Sequence, residues 1–263
     1  MFDGVREQTR ILRETLEKRK RWDSLVVHKG RYTNQLPAPL VLAAVCGQVK
    51  GKLRCPANLT IVLIHTHDDE TIMEKSLRYV GIDEFVVLQA NPEGAWHGTK
   101  KITALLEYLK AGRCETEYLL FLDSDDAVLG DDPAKAIVYL QQAACSMLVS
   151  STTFRDFSCM PEVKTFSEED AIANGYPGRF LNSGVFVGTP AFIREVYAEA
   201  AQYVTDDELT RAEYRRLRKE KALEARLPDF PRGIGSDQHL LRYLLPKFHP
   251  EMQIDYAQRL AWR

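Results

Sequence analysis

Apolar and polar residues alternate in blocks along this chain, and the blocks predict an α/β fold. Short runs of branched and aromatic residues between polar residues predict strands that are buried on both faces. The predicted strands cover residues 59–66, 85–88, 117–122, 147–153, 181–188 and 252–256. Longer amphipathic or charged segments predict helices over residues 69–80, 99–111, 133–145, 190–203, 205–226 and 236–245. This alternation is typical of an open α/β sheet with helices on its faces.

The remaining segments are predicted to be less regular. A charged helix is predicted over residues 3–22, and residues 36–50 are apolar enough for either a helix or a strand. Residues 155–178 are polar and contain prolines and glycines, so we predict a long loop there, and such loops are often functional. We divide the chain into an N-terminal lead-in, residues 1–58, and one domain, residues 59–263, because no segment resembles a linker.

Composition narrows the class of protein. The chain has 263 residues, of which 45% are hydrophobic, enough for the core of one large α/β domain. The formal net charge of -2 shows no bias towards nucleic acid, and we expect no nucleic-acid partner. The five cysteines are scattered without a CxxC pair, which argues against a zinc site or a disulfide scaffold and favours a reducing compartment.

The N-terminal segment and the apolar runs bear on location. Residues 1–21 are strongly charged and lack an apolar signal core. The longest apolar run, residues 39–46, is too short to span a bilayer. We therefore expect a soluble, cytoplasmic protein without a membrane span, although a chain trimmed of its targeting segment would have the same pattern.

The strand predicted over residues 117–122 ends in three carboxylates, Asp123, Asp125 and Asp126. Open α/β sheets bind ligands just beyond the carboxyl ends of their strands. Crowded carboxylates repel one another unless a cation or a proton lies between them, and hard divalent cations take oxygen ligands. The pattern therefore favours a metal site with open positions for diphosphate oxygens. The alternative interpretation is an ordinary turn or helix cap.

Several stretches, in order along the chain, resemble one family. They are residues 61–66 (IVLIHT), 98–100 (GTK), 121–126 (FLDSDD) and 181–188 (LNSGVFVG), followed by 237–238 (DQ) and 254–256 (IDY). Together they make residues 59–262 similar to the glycosyltransferase domain of procollagen lysyl hydroxylases and the related collagen galactosyltransferases, which are GT-A enzymes that use nucleotide sugars. The resemblance implies a GT-A type, Rossmann-like, mixed and mostly parallel sheet flanked by helices.

The resemblance also implies a metal site. Asp123 and Asp126 would bind Mn²⁺ or Mg²⁺, with Asp125 as a further candidate ligand where the family has an aromatic residue. The family's third ligand is a histidine, and Tyr256 takes that position here. A phenol is a poor ligand near neutral pH because its pKa is about 10.

Donor-binding and catalytic residues follow from the same resemblance. The implied contacts with the UDP-sugar are Thr66, Lys100, Asp125, Asn182, Ser183 and Gly184. Asp237 and Asn182 are the implied catalytic residues, with Asp237 close to the transferred sugar. Each also has a structural interpretation: Lys100 as a surface lysine, residues 182–184 as a tight turn, and Asp237 as an acid at a helix N-terminus. Trp96 fits either a stacking surface for sugar or base, or the core.

We therefore expect a metal-dependent glycosyltransferase that transfers a sugar from a UDP-sugar to a hydroxyl acceptor, either hydroxylysine or another hydroxylated residue or small molecule. A nucleotidyltransferase is one alternative, but it usually has a basic glycine-rich loop after its first strand, where residues 67–70 are acidic. A catalytically silent GT-A-like binding or scaffold protein is the other. The charged helix predicted over 205–226 and the loop predicted over 155–178 are the candidates for acceptor recognition.

Overall fold

The computed structural model describes Arg10, Glu14 and residues 24–28, 37–49, 51–90 and 95–262. The helix predicted over residues 3–22 lies outside these residues except for Arg10 and Glu14, which are both helical.

The described strands form two sheets. They are β1 Val26–His28, β2 Leu59–His65, β3 Val86–Gln89, β4 Tyr118–Leu122, β5 Ala127–Leu129, β6 Met147–Thr152, β7 Phe180–Gly188, β8 Met252–Asp255 and β9 Ala261–Trp262. The main sheet has the order β3-β2-β4-β7-β6-β8, and a smaller sheet has the order β5-β1-β9. The predicted fold class, a mixed and mostly parallel sheet with flanking helices, is confirmed.

Helices cover both faces of the main sheet. They are α1 Ala38–Val45, α2 Ile72–Tyr79, α3 Lys100–Lys110, α4 Ala134–Ala143, α5 Pro161–Ala173, α6 Pro190–Ala201, α7 Arg211–Lys219, α8 Leu223–Arg226 and α9 Asp237–Phe248. One core packs α1, α2 and α4 against Leu63 and Leu120, and the other packs α3, α6 and α9 against Val62 and Phe121. Side chains of β2 and β4 alternate between the two cores, which explains their unbroken apolar runs. Within the described residues, we find no helix with the length and apolar character needed to cross a membrane.

Strand direction determines which side chains meet. β3, β2 and β4 are parallel, β7 is antiparallel to both β4 and β6, and β6 is parallel to β8. The carboxyl ends of five strands and the amino end of β7 therefore lie along one edge of the main sheet. We call it the site edge.

The described part of the lead-in packs with the rest of the chain. β1 pairs antiparallel with β5 and parallel with β9. The Leu25 N–H donates to the Arg259 carbonyl at 2.8 Å, and Leu25 belongs to the same core as Leu120 and Val185. The apolar residues between 36 and 50 become α1 followed by a short 3₁₀ turn, Cys46–Gln48.

The long loop predicted over residues 155–178 is wrong, because α5 occupies Pro161–Ala173. Its first helical residue is Pro161, whose fixed φ suits a helix start. Only Val163, Ser167 and Ala171 are buried on its inner side, at four-residue spacing. The mostly polar outer face gave the segment the composition of a loop.

The single helix predicted over residues 205–226 is also wrong, because two helices, α7 and α8, lie in that range. Thr210 is the residue that caps the start of α7. Its hydroxyl accepts from the Glu213 N–H at 3.2 Å, and the Glu213 carboxylate accepts from the Thr210 N–H at 2.8 Å. This reciprocal capping box defines a helix start more strongly than an acidic residue alone.

Candidate active site

A cavity of about 460 Å³ lies at the site edge. It forms where the ends of β4 and β7 meet the starts of α3 and α9, with α7 as the opposite wall. The wall formed by the strand ends and the starts of α3 and α9 includes Lys101, Asp123, Asn182, Ser183, Gly184 and Asp237. The helical wall includes Arg211, Tyr214, Arg215, Arg218 and His239. Four of the predicted site residues, Asn182, Ser183, Gly184 and Asp237, therefore share this cavity with Asp123.

Asp123 is the carboxylate of the 123–126 turn that faces the cavity. Its N–H donates to the Gly184 carbonyl at 2.7 Å, which extends the β4–β7 pairing by one residue. Its Oδ1 lies 2.8 Å from the Nζ of Lys101, and both side chains are mostly buried. This ion pair joins the end of β4 to the first turn of α3.

The ammonium of Lys101 remains protonated despite its burial. Burial by itself lowers its pKa, but the attraction of Asp123, Asp237 and Asp125, together with the hydrogen bond to Asp123, raises the pKa above its ordinary value of 10.5. Lys101 is therefore a fixed positive charge in a partly desolvated cavity.

The other residues of the turn face elsewhere. Ser124 is buried, and its hydroxyl donates to the Ile64 carbonyl at 3.2 Å, so it ties the turn to the end of β2. Asp125 is 61% exposed, and its Oδ1 lies 2.9 Å from the Nε2 of His67. Asp126 is half-buried and does not line the cavity.

A bulge in β7 shapes the wall beside Asp123. Val149 pairs with Phe186 and Ser151 with Leu181, so the single residue Ser150 lies opposite residues 182–185. Such bulges bend a strand and redirect its side chains, often beside active sites.

Asn182 holds this bulge together. The Ser150 hydroxyl donates to the Asn182 carbonyl at 2.9 Å. The Oδ1 of Asn182 accepts from the Gly184 N–H at 3.2 Å, and its Nδ2 donates to the Oε1 of Gln238 at 2.7 Å. One buried amide therefore fixes the bulge and links it to α9.

Asp237, the first residue of α9, lies close enough to Lys101 and Asp123 for both charges to act on it. Burial raises the pKa of its carboxyl above 3.8, although Lys101 and a hydrogen bond from the Ser183 hydroxyl lower it in part. The neighbouring charge of Asp123 raises it further. Asp237 is thus a carboxylate that takes up a proton more readily than an exposed aspartate.

On the helical wall, His239 bridges α9 and α7. Its Nδ1 is 2.9 Å from the hydroxyl of Ser236, and its Nε2 is 3.1 Å from that of Tyr214. Burial lowers the pKa of His239 to about 4, outweighing the attraction of Asp156. His239 is therefore neutral at pH 7.

A fully buried arginine fixes the loop that follows β6. Arg242 donates to the carbonyls of Phe154 at 3.0 Å, Asp156 at 2.7 Å and Leu181 at 3.0 Å. These bonds position Phe154, which together with Trp96 exposes an aromatic ring at the mouth of the cavity. The exposed position of Trp96 argues against the interpretation as a core tryptophan.

Some of the predicted residues do not reach this cavity. Lys101 rather than Lys100 contacts Asp123, and neither Lys100 nor Thr66 is part of the cavity wall. Tyr256 lies beyond β8, three strand positions and about 14 Å from β4. Its hydroxyl donates to the Oδ2 of Asp170 at 2.6 Å, and its ring stacks on Tyr176. Tyr256 is therefore not a ligand at the 123–126 turn.

The predicted cation ligands do not converge as a set. Among the residues that the structure describes, no three carboxylate, histidine or cysteine side chains are grouped as metal ligands would be. Lys101 engages Asp123, and Asp125 points to His67. A cation here would have to rely on Asp123 and on oxygen atoms of a bound substrate.

A larger but more open depression, about 730 Å³, lies at the opposite edge of the sheet. It is lined by Lys110, Thr189, Ala191, Phe192, Arg194, Glu195 and Ala198. None of these polar side chains is buried, and Asp123, Asn182 and Asp237 do not line this depression. The charged and polar side chains that face a common space are those of the smaller cavity.

Comparison with known proteins adds little to this geometry. No family model matches the chain, and no curated protein matches it. Among solved structures, the chain is similar to the crystal structure of a glycosyltransferase involved in the glycosylation of the major capsid of PBCV-1. That match has 16% identity and a TM-score of 0.38, and covers 74% of this chain and 80% of the other. A likeness at this TM-score does not assign an activity.

Proposed function

We propose that this chain is a glycosyltransferase of the GT-A type, which transfers a sugar from a UDP-sugar to a hydroxyl group of an acceptor. The observation that carries the proposal is the meeting of Lys101, Asp123, Asp237 and the Asn182–Gly184 bulge in one cavity. The cavity lies beyond the carboxyl end of β4, where open α/β sheets bind nucleotide ligands.

Lys101 has the position and charge to stabilise the leaving group. Breaking the bond between sugar and diphosphate leaves negative charge on the phosphate oxygens. A lysine held by Asp123 in a partly desolvated wall supplies a compensating charge without reorganisation at the moment of reaction.

Asp237 is proposed to act on the hydroxyl groups of sugar or acceptor. Its raised pKa suits a group that accepts a hydrogen bond or a proton from an attacking hydroxyl. Asn182 is proposed to keep the bulge in place, so that Ser183 and the backbone at Gly184 approach the sugar closely. The rings of Trp96 and Phe154 offer stacking surfaces at the entrance.

We also propose that Mn²⁺ or Mg²⁺ binds at Asp123 together with phosphate oxygens of the donor. When bound, such a cation would act as a Lewis acid on the departing diphosphate. The negative charges of Asp125 and Asp126 would attract the cation, but these residues would not complete its set of ligands.

The first test is nucleotide binding measured by the shift in melting temperature, with UDP and a panel of UDP-sugars, in Mn²⁺ or in a chelator. We expect wild type to be stabilised by several degrees. The stabilisation should be lost in Asp123→Asn and kept in Asp206→Asn, a control on an exposed aspartate.

Three outcomes count against parts of this proposal. Stabilisation that is equal in Mn²⁺ and in chelator would refute the cation. Binding without hydrolysis or transfer of any donor would favour the binding-protein alternative. If no UDP compound binds, the glycosyltransferase proposal is wrong.

A further inference from the structure

One face of α7 forms a row of positive charges along the cavity. Arg211, Arg215 and Arg218 are spaced by four and three residues, so they share one side of the helix, and all three line the cavity. The buried Leu217 anchors the helix to the core. On the outer side, Arg216 pairs with Glu220 at 2.9 Å, as is usual for a solvent-exposed helix.

Only one of the three cavity arginines is neutralised by the protein. Arg218 lies 2.9 Å from the Oδ2 of Asp156, whose side chain is buried. Among the described residues, the side chains of Arg211 and Arg215 make no hydrogen bond, ion pair or ring contact. Two uncompensated guanidinium groups therefore face the same cavity.

Local electrostatics disfavour this arrangement. Like charges four residues apart on a helix repel each other and destabilise the helix. Arg211 is also the first residue of α7, where the positive end of the helix dipole disfavours a cation. A bound anion would remove both costs, because it would interact favourably with the guanidinium groups and with the helix end.

The wall of the cavity near β4 carries carboxylates rather than a row of arginines. Asp123 and Asp237 lie on the β4 side, and the charges of both act on Lys101. Asp156, the partner of Arg218, follows β6, which is two strand positions or about 10 Å from β4. The cavity therefore has a site for a hydroxyl group near Asp237 and a site for an anion along α7.

We propose that Arg211 and Arg215, supported by Arg218, bind a compact oxyanion, a phosphate or a carboxylate, carried by the acceptor. The planar guanidinium groups suit bidentate contacts with such a group. The acceptor would thus be a hydroxy compound that also carries an anionic group. The identification of the ligand as the acceptor rests on the proposed function, whereas the anion site itself does not.

The test compares Arg211→Gln/Arg215→Gln with Arg216→Gln/Lys219→Gln. The second pair makes the same change of charge on the same helix, at exposed residues outside the cavity. Inorganic phosphate is titrated into each protein by calorimetry at low ionic strength. We expect wild type and the control pair to bind phosphate equally, and the Arg211/Arg215 pair to bind about tenfold more weakly. Equal binding in all three proteins, or no binding to wild type, would overturn the anion site.

A second titration separates the acceptor from the donor, since the diphosphate of a nucleotide sugar is also an oxyanion. Phosphate is titrated into wild type saturated with UDP. Unchanged phosphate affinity supports an acceptor site, and competition between phosphate and UDP would assign the arginines to the donor and overturn our assignment. If UDP does not bind at all, the proposed function and the acceptor assignment fail together, while the first titration still decides the anion site.

Discussion

Gly98 and Asp237 touch each other at the wall of the cavity. A Cβ atom added to Gly98 would lie 2.6 Å from Oδ1 of Asp237 and 3.1 Å from its backbone nitrogen. The Gly98 N–H also donates to the Gly235 carbonyl at 2.9 Å. The loop before α3 therefore rests directly on the start of α9, and only a residue without a side chain allows this approach.

We predict that Gly98→Ala displaces Asp237 and lowers donor turnover. A displacement of about 1 Å at a catalytic group can cost on the order of 100-fold in rate. The measurement is kcat/KM for hydrolysis or transfer of the UDP-sugar, with Gly47→Ala as the control, because a Cβ at Gly47 meets nothing within 4 Å. Wild-type turnover in Gly98→Ala would show that the contact does not position Asp237.

Two adjacent lysines give a second prediction. Lys101→Met should weaken UDP binding about tenfold or more, because it removes the positive charge next to Asp123. Lys100→Met, a matched change one residue earlier, should leave UDP binding close to wild type. Both affinities can be measured by calorimetry. If Lys100→Met gives the larger loss, the role implied by the family resemblance is correct and the geometric argument for Lys101 is not.

Asp237 should make stability depend on pH. Burial raises its pKa above 3.8, so the folded protein holds the proton more tightly than the unfolded chain. The protonated side chain therefore contributes its full stabilisation below pH 3.8. This stabilisation is lost as the pH rises through the raised pKa, because the buried side chain then becomes charged. Asp237→Asn should melt at a higher temperature than wild type at pH 7, with a difference that shrinks towards pH 4.

The same substitution should reduce donor turnover, since an amide cannot accept a proton. Unfolding by urea across this pH range measures the stability effect. If the variant is less stable than wild type at pH 7, the attraction between Asp237 and Lys101 outweighs the cost of burial.

Gly235 and Gly112 allow backbone strain to be separated from steric overlap. Their φ angles are +66° and +67°, but a Cβ at Gly235 would lie 1.9 Å from the Leu209 carbonyl oxygen, whereas nothing lies within 4 Å at Gly112. We expect Gly112→Ala to lower the free energy of unfolding by about 1–2 kcal/mol. Gly235→Ala should cost at least about 3 kcal/mol, because the loop must also move. Equal costs in urea unfolding would show that the Leu209 contact is easily relieved.

The strands that frame the cavity could be predicted from the sequence because they are buried on both faces. β2, β4 and β7 each show an apolar run that no surface segment would have, and their ends agree with prediction within two residues. The position of Asp123 follows directly, since a residue after a central parallel strand must lie at the site edge. α5 was missed because its polar outer face dominates its composition.

The sequence by itself therefore determined the order of the helices and strands, and which edge of the sheet holds the candidate active site. Both follow from the pattern of buried residues and from the direction of the chain. Only the tertiary structure decided which neighbouring side chain points inward. Adjacent residues on a helix are rotated by about 100°, so Lys101 faces Asp123, whereas the family resemblance had implied Lys100. It also placed Tyr256 against Asp170 and aligned the arginines of α7 with the cavity. These contacts join residues that are far apart in the chain, and the local sequence pattern does not show which of them are close in space.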